Sequence, residues 1–292
     1  MKRIFITLSG ILFTLNLFAQ EDSAKVMKPT ADTIRIGGMI IIKRGNESKR
    51  QTIVTLGNRR KQKHSNISTA HWVIDLGFAN YDDKTNYSSA TSQNYIVNRP
   101  GSPLLGANDF KLKSAKSSNV NIWFFMQRLN LIKQYVNLKY GLGIEMNNYR
   151  FKSPLSFNEG GPNPYDPSQN IAHPFVFRDS ISFSKNKLAL DYVTIPFMLN
   201  FRTNPNSSQK GLSLSAGVSA GYLYSSRNKQ ISDERGKRKN HGDYDAEKWK
   251  LSYIGELGLG PVILYVSYSP KSIFKNGLNV MPYNVGIRLS NW

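Results

Sequence analysis

Eight segments between His71 and Trp292 alternate apolar and polar residues with a period of two. This period is typical of β-strands with one apolar face. The connections between the segments also alternate in length: the first, third, fifth and seventh are long, and the three between them are short. A closed up-and-down barrel, with loops at one rim and turns at the other, produces this rhythm.

The two faces of the segments favour a membrane barrel over a soluble sandwich, which would also alternate. In the third segment, Leu138, Tyr140 and Leu142 share one face, while Lys139 and Gly141 share the other. Throughout, the large apolar face is almost free of charge, and the small, polar face suits a narrow lumen. Aromatic residues gather near the strand ends, as in interfacial girdles: Trp72, Tyr81, Tyr149, Phe151, Tyr222, Tyr224, Trp249, Tyr268 and Tyr283.

We therefore predict an all-β fold, an eight-stranded antiparallel up-and-down transmembrane β-barrel over residues 71–292. Two irregularities are expected within it. The alternation of the second segment slips near Gln127-Arg128, which predicts a β-bulge there and leaves Met126 facing outward. Pro196 lies within the fourth segment and cannot donate to a ladder, so it predicts a local break in strand pairing.

The first 70 residues differ from the barrel. Residues 1–20 have a basic start, an apolar run and a small residue before a polar segment, which is typical of a cleaved signal peptide. Residues 21–70 form a basic periplasmic arm, in which Gly37-Gly38 between two β-branched runs predicts a hairpin. The arm is either a solvated extension or a docking segment for an acidic partner.

The whole chain carries a net charge of +20 and no cysteine. A charge of this size suggests nucleic acid at first, but an exported chain meets anionic lipid or polysaccharide instead. We therefore expect outer-membrane lipids, including anionic lipopolysaccharide, as partners, and no nucleic acid. The absence of cysteine rules out disulfides.

These segments resemble the small Bacteroidota outer-membrane β-barrel proteins grouped as PorT-like. The resemblance is carried by His71-Trp72 with Gly77 and Asn80-Tyr81, Gly141-Leu142-Gly143, Asn147 to Phe151, Ile195-Pro196, Ala216-Gly217, Ser272 to Lys275, Tyr283 to Trp292, and the stretch at 34–38. It implies an eight-stranded outer-membrane barrel, and one namesake member is tied to a secretion system. The chain departs from the pattern in its high charge and in Trp292, which is out of phase with Leu289.

Charged residues on the inward face of the strands predict a network inside the lumen, because buried charges need compensation. These residues are Asp75, Lys139, Glu145, Lys250, Glu256 and Arg288. An eight-stranded barrel is just wide enough for its side chains to fill, so we interpret the network as a structural plug. A narrow ion path and a binding or catalytic role are the alternatives.

A basic run in the fifth connection is the candidate anion contact: Arg227, Lys229, Arg235, Lys237, Arg238 and Lys239. The run is either a solvated loop or a surface for lipopolysaccharide phosphates or acidic glycans. The four histidines, His64, His71, His173 and His241, show no catalytic or metal-ligand spacing. The sequence predicts no catalytic residues, cofactor or metal.

Together these features predict a non-enzymatic integral outer-membrane protein of a Gram-negative bacterium, with both termini in the periplasm. Its expected role is structural or accessory to envelope assembly or protein secretion, with a periplasmic or secretion-machinery protein as candidate partner. The alternatives are a lipid-modifying outer-membrane enzyme and a narrow passive channel.

Overall fold

The computed structural model describes residues 65–205 and 211–289, together with three strands within residues 33–56. The predicted signal peptide and most of the basic arm lie outside the described residues. The chain divides into two compact units at His64 and Ser65, which are described separately.

The described strands, in chain order, are β1 (Thr33–Ile36), β2 (Met39–Arg44), β3 (Gln51–Leu56), β4 (Ile67–Asp83), β5 (Ile96–Val97), β6 (Ser118–Ile132), β7 (Val136–Arg150), β8 (Leu155–Asn158), β9 (Gly161–Asn163), β10 (Asp166–Ile171), β11 (Phe175–Arg178), β12 (Lys185–Arg202), β13 (Leu212–Ser232), β14 (Gly236–His241), β15 (Trp249–Leu259), β16 (Val262–Tyr268) and β17 (Val280–Leu289). Helix α1 (Ala90–Tyr95) and a 3-10 turn (Ser114–Lys116) lie between β4 and β6.

In the first unit, β1, β2 and β3 form an antiparallel sheet in sequential order. Ile36 pairs with Met39 across the first two strands. The sequence pattern predicted these two strands but missed β3.

In the second unit, the described strands close a ring in the order β12, β7, β6, β4, β17, β16, β15 and β13, with β13 paired back to β12. Every pairing in the ring is antiparallel. The predicted eight-stranded antiparallel barrel is therefore confirmed. Its first strand, β4, begins at Ile67, four residues earlier than the pattern indicated.

The outer face of the barrel is apolar. Leu76, Phe197 and Leu251 each expose 53% of their surface, whereas the residues between such positions are mostly buried. Strand β15 is 11 residues long and alternates in this way along nearly its whole length. Nine to eleven tilted residues are what a strand needs to cross a hydrocarbon layer.

Short turns connect the strands at one end, called here the short-turn end. Lys133 and Gln134 form the turn between β6 and β7, and both adopt left-handed backbone angles, with φ of 43° and 64°. The side-chain oxygen of Asn130 accepts a hydrogen bond from the backbone N–H of Gln134 at 2.7 Å, which stabilises this uncommon conformation.

The second barrel strand, β6, contains a bulge, but not where the pattern placed it. The register between β6 and β7 shifts between Trp123 and Phe125, ahead of Gln127-Arg128, and again between Asn130 and Ile132, beyond them. The predicted outward orientation of Met126 is therefore wrong: the first shift turns its side chain inward, where it is fully buried. Pro196 lies opposite this region, and the ladder between β12 and β7 skips Ile195 and Pro196.

The largest apolar core lies at the opposite end of the barrel, called here the long-loop end. All four long connections contribute to it, with Tyr95, Phe157, Tyr244 and Phe274 from successive connections. The rings of Phe157 and Phe274 stack at 6.3 Å. We call this assembly the cap; it includes a small sheet of β5, β11 and β8.

The cap corrects the interpretation of three aromatic residues. Tyr149 and Phe151 belong to the buried core of the cap, and Tyr81 packs against that core. They do not belong to an outward girdle. Tyr222 and Trp249 do face outward, with ring centroids 5.0 Å apart at the edge of the apolar surface.

Candidate functional site: the lumen and the basic residues

Arg288 on β17 lies at the centre of the lumen and is 2% exposed. Its guanidinium binds Asp75 with two nitrogens, Nε to Oδ1 at 2.5 Å and Nη2 to Oδ2 at 2.8 Å. Its third nitrogen, Nη1, donates to Glu256 Oε1 at 2.5 Å. Lys139 binds the other oxygen of Glu256, and Trp123 Nε1 donates to Asp75 Oδ2 at 2.7 Å. A forked guanidinium between two carboxylates is among the strongest hydrogen-bonding arrangements in proteins.

A second cluster surrounds Glu145 on β7. Lys250 on β15 forms a salt bridge with Glu145 Oε1, and both side chains are nearly fully buried. Asn147 and Asn284 donate to the same oxygen at 3.0 and 3.1 Å. The carboxylate therefore has compensation by charge and by hydrogen bonds, as a buried charge requires.

Asparagine side chains join the two clusters. Asn119 donates to Asn147 at 2.9 Å and to Asn121 at 3.1 Å, and Asn121 donates to Asp75 at 3.3 Å. Tyr265 completes the link by donating from Oη to Asn119 Oδ1 at 2.5 Å. The charged and amide side chains named here thus form one continuous network.

Two glycines make room for Tyr265. Gly77 on β4 pairs directly with Gly286 on β17. A Cβ atom on Gly77 would lie 2.5 Å from Tyr265 Oη, and one on Gly286 would lie 2.6 Å from its ring. The two small residues therefore let a large aromatic ring fill the lumen beside Arg288.

The remaining strand, β12, joins the network through Asn200, which donates to Ser215 at 3.0 Å. Ser215 in turn donates to Glu256 at 3.2 Å. All eight barrel strands therefore contribute to the network. A residual cavity of about 30 Å³ lies beside Asp75, Glu145 and Arg288, which is space for one or two water molecules.

The structure places all six predicted lumen residues inside the barrel and brings them together in salt bridges. Three are acidic and three are basic, so the group is balanced in charge: Asp75, Lys139, Glu145, Lys250, Glu256 and Arg288. Each of these buried charges therefore has a partner of opposite charge inside the barrel, as burial requires.

The cap is the feature that sequence analysis missed. Asp245 binds one of its loops, accepting from the backbone N–H of Asn276 at 2.8 Å and of Gly277 at 3.1 Å. Gly277 packs so closely on the Tyr95 ring that a Cβ atom would lie 2.1 Å from it. Burial raises the pKa of Tyr95 well above its usual value and raises that of Tyr244 to about 12.

The structure separates the predicted anion-contact residues into two groups. Arg227 and Arg235 form salt bridges with Asp191 and Asp179, at 2.5 and 2.8 Å. Lys229 on β13, together with Lys237, Arg238 and Lys239 on the exposed strand β14, forms no salt bridge among the described residues. The second group therefore keeps its charge uncompensated by carboxylates.

Other candidate chemistry is sparse in the described part of the chain. No group of three or more His, Cys, Asp or Glu side chains there is arranged to hold a metal ion. His173 Nδ1 lies 3.1 Å from the carbonyl of Pro174, and His241 is exposed on β14. None of the helices in these residues has the length and apolarity of a membrane span.

Comparison with known proteins gives one family. The family model described as an outer membrane protein beta-barrel domain matches residues 47–275. No curated protein matches the chain.

Proposed function

Because the chain belongs to the outer membrane protein beta-barrel domain family, we propose that this integral outer-membrane protein neither conducts nor catalyses. It acts instead through its surfaces, as a structural or accessory component of envelope assembly or protein secretion. The observation that carries the proposal is the continuous lumen network, in which Arg288 joins Asp75 and Glu256 across the barrel axis.

The network argues against a passive channel. Conduction needs a path that an ion can enter and leave, whereas here the lumen holds three paired acids and three paired bases. The cap covers the long-loop end with a packed aromatic core. A solute would have to pass both barriers.

Planar-bilayer conductance tests this proposal. Purified full-length protein, with insertion checked by co-flotation with lipid vesicles, is expected to give no current steps, while a general porin in the same bilayers gives them. Steady, reproducible openings of the wild-type protein would refute the plug. A lipid-modifying enzyme is tested separately, by mass spectrometry of lipid A from a deletion strain. We expect the lipid A to be unchanged, and a lost modification would favour the enzyme.

We also propose that the protein belongs to a narrower group within this family. The order of motifs such as Gly141-Leu142-Gly143 and Ile195-Pro196 supports a PorT-like protein of the Bacteroidota, exported by the signal peptide at residues 1–20. An even number of strands returns the chain to the side where it began, so we place the short turns and both termini in the periplasm and the cap outside the cell.

The basic arm supports an accessory role, since a cluster of cations suits an acidic periplasmic partner. A photo-crosslinking residue at Lys49 in the arm is expected to capture a discrete protein in intact cells. The same residue at Lys133, in the short turn between β6 and β7, serves as the control on the same side of the membrane. Equal adducts from both positions, or none from Lys49, would count against the docking role.

A further inference from the structure

A row of cations crosses the sheet at the long-loop end of the barrel. Lys187 on β12 pairs directly with Lys229 on β13, and Lys229 pairs with Lys239 on β14. On its other side, Lys187 pairs with Arg150 on β7. Residues directly opposite in antiparallel strands share a face, and like charges in such pairs are destabilising. The fold therefore maintains an unfavourable arrangement across four strands.

The same face carries two further lysines. Lys185 and Lys237 both pair with Ile231, which lies two residues beyond Lys229 along β13 and further from the apolar surface. We call these six cations the basic row: Arg150, Lys185, Lys187, Lys229, Lys237 and Lys239. The neighbouring Lys185 and Lys237 lower the pKa of Lys229, which lies beyond the apolar surface of the barrel.

No carboxylate among the described residues forms a salt bridge with this row. The nearest acid on the face, Asp191, is already bound to Arg227 at 2.5 Å. Lys187 donates to the side-chain oxygen of Asn148, and Arg150 donates to the carbonyl of Ser184 at 2.6 Å. Both of these partners are neutral. An external anion would supply the opposite charge that these partners lack.

The position of the row indicates which anion it meets. Tyr222, Tyr224 and Trp249 mark the edge of the apolar surface at this end. Lys229 lies five residues beyond Tyr224 along β13. At about 3.3 Å per residue and a tilt of about 40°, this places its Cα about 13 Å above the aromatic edge. Long lysine side chains then reach the headgroup layer from above.

The shape of the row indicates the size of the ligand. Neighbouring strands lie about 4.8 Å apart, so four cations on four strands span about 14 Å. This is too long for a single phosphate group and suits several anionic groups held side by side at a membrane surface. Six cations on one face also attract a polyanion far more strongly than a single charge does.

We propose that the basic row binds the phosphate groups of an anionic glycolipid in the outer leaflet. This inference rests on the proposed orientation, with the cap outside the cell. It extends the predicted anion contact, since Lys185, Lys187 and Arg150 join it from other strands. It leaves out Arg227 and Arg235, which have acidic partners of their own. It also leaves out Arg238, which pairs with Gln230 rather than with a residue on the face of Lys229.

The test compares lipid A with and without its phosphates. The full-length protein is placed in phosphatidylcholine nanodiscs containing either bisphosphorylated or dephosphorylated lipid A, and retained lipid is counted by native mass spectrometry. The row variant replaces Lys187, Lys229 and Lys239 with Gln. The control variant replaces three exposed lysines at the same end, Lys111→Gln, Lys116→Gln and Lys248→Gln, and loses the same charge.

The wild-type protein and the control variant are expected to retain bisphosphorylated lipid A within twofold of each other. The row variant is expected to retain at least tenfold less, and all three are expected to retain the dephosphorylated lipid equally. If the row and control variants retain equal amounts of bisphosphorylated lipid A, the proposal is overturned. The lysines would then serve to keep the exposed edge strand β14 from pairing with another chain. Displacement of lipid A by millimolar inorganic phosphate would also overturn it, since a row built for several phosphates should resist a single one.

Failure of lipid A binding can be distinguished from failure of the lumen plug. Conductance and vesicle insertion are measured on the same preparations. A wild-type barrel that conducts but still loses lipid A in the row variant would refute the plug alone. A closed, inserted barrel without phosphate-dependent binding would refute the basic row alone.

Discussion

Replacing Arg288 with Met removes the charge at the centre of the lumen while keeping a long, unbranched side chain. Arg288 makes three charge-assisted hydrogen bonds to Asp75 and Glu256, at 2.5, 2.8 and 2.5 Å. Glu256 keeps Lys139 as a partner in the variant, but Asp75 is left with neutral donors only. An uncompensated buried charge costs about 3–5 kcal/mol, so the unfolding equilibrium should shift by roughly 150- to 5,000-fold.

The assay is equilibrium unfolding in urea of protein refolded into lipid vesicles, followed by tryptophan fluorescence. The control is Lys271→Met, which breaks an exposed salt bridge with Glu247 at 2.7 Å and should cost below about 1 kcal/mol. Adding Asp75→Asn to Arg288→Met removes the orphaned charge and should recover much of the loss. If Arg288→Met unfolds within about 1 kcal/mol of wild type, the lumen network does not stabilise the barrel as argued.

Two further predictions concern the cap. Phe274→Ala removes a ring that is 6% exposed and stacks on Phe157. The cap should lose about 3–5 kcal/mol of stability and open while the barrel stays folded. Trypsin should then cleave the loops of the vesicle-bound variant faster than those of the wild type, and unchanged cleavage would contradict a packed cap. Raising the pH should have a related effect, because burial raises the pKa of Tyr244 to about 12 from about 10 in the unfolded chain. The stabilisation is present below pH 10 and is lost as the pH rises to 12. The protection factors of the cap amides, which correct for base-catalysed exchange, should therefore fall in that range, and Tyr244→Phe should reduce the fall. Protection factors that stay constant between pH 10 and 12 would contradict this assignment.

The barrel was predictable because its signal is local. In a strand the side chains alternate between the two faces, so Lys139 and Glu145 were assigned to the lumen from their spacing on one strand alone. The aromatic edge at Tyr222 and Trp249 followed from the same alternation. Pairing partners were not needed for any of these inferences.

The parts that the sequence did not reveal depend on contacts between distant segments. The bulge at Phe124 is set by the pairing of β6 with β7, and the slip in the alternation only shows that a bulge lies nearby. The cap joins Tyr95, Phe157, Tyr244 and Phe274 from four connections without any hydrophobic period. Tyr149 and Phe151 therefore share the sequence pattern of girdle residues, although the cap buries them.

The basic row could be predicted from the sequence only in part. Lys229 and Lys239 were visible as members of a charged run, but Lys187 and Arg150 lie far from that run in sequence. Only the register of four strands brings them together. The run also contained Arg227 and Arg235, whose acidic partners lie on other segments.

The central claim, that apolar side chains face lipid and polar ones fill the lumen, is tested most directly by the native tryptophans. Trp249 and Trp72 face outward with 62% and 69% of their surface exposed, whereas Trp123 is 6% exposed and bound to Asp75. In variants that each keep one of these tryptophans, brominated acyl chains should quench Trp249 and Trp72 strongly and leave Trp123 nearly unaffected. Equal quenching of Trp123 and Trp249, or no quenching of any, would contradict the account.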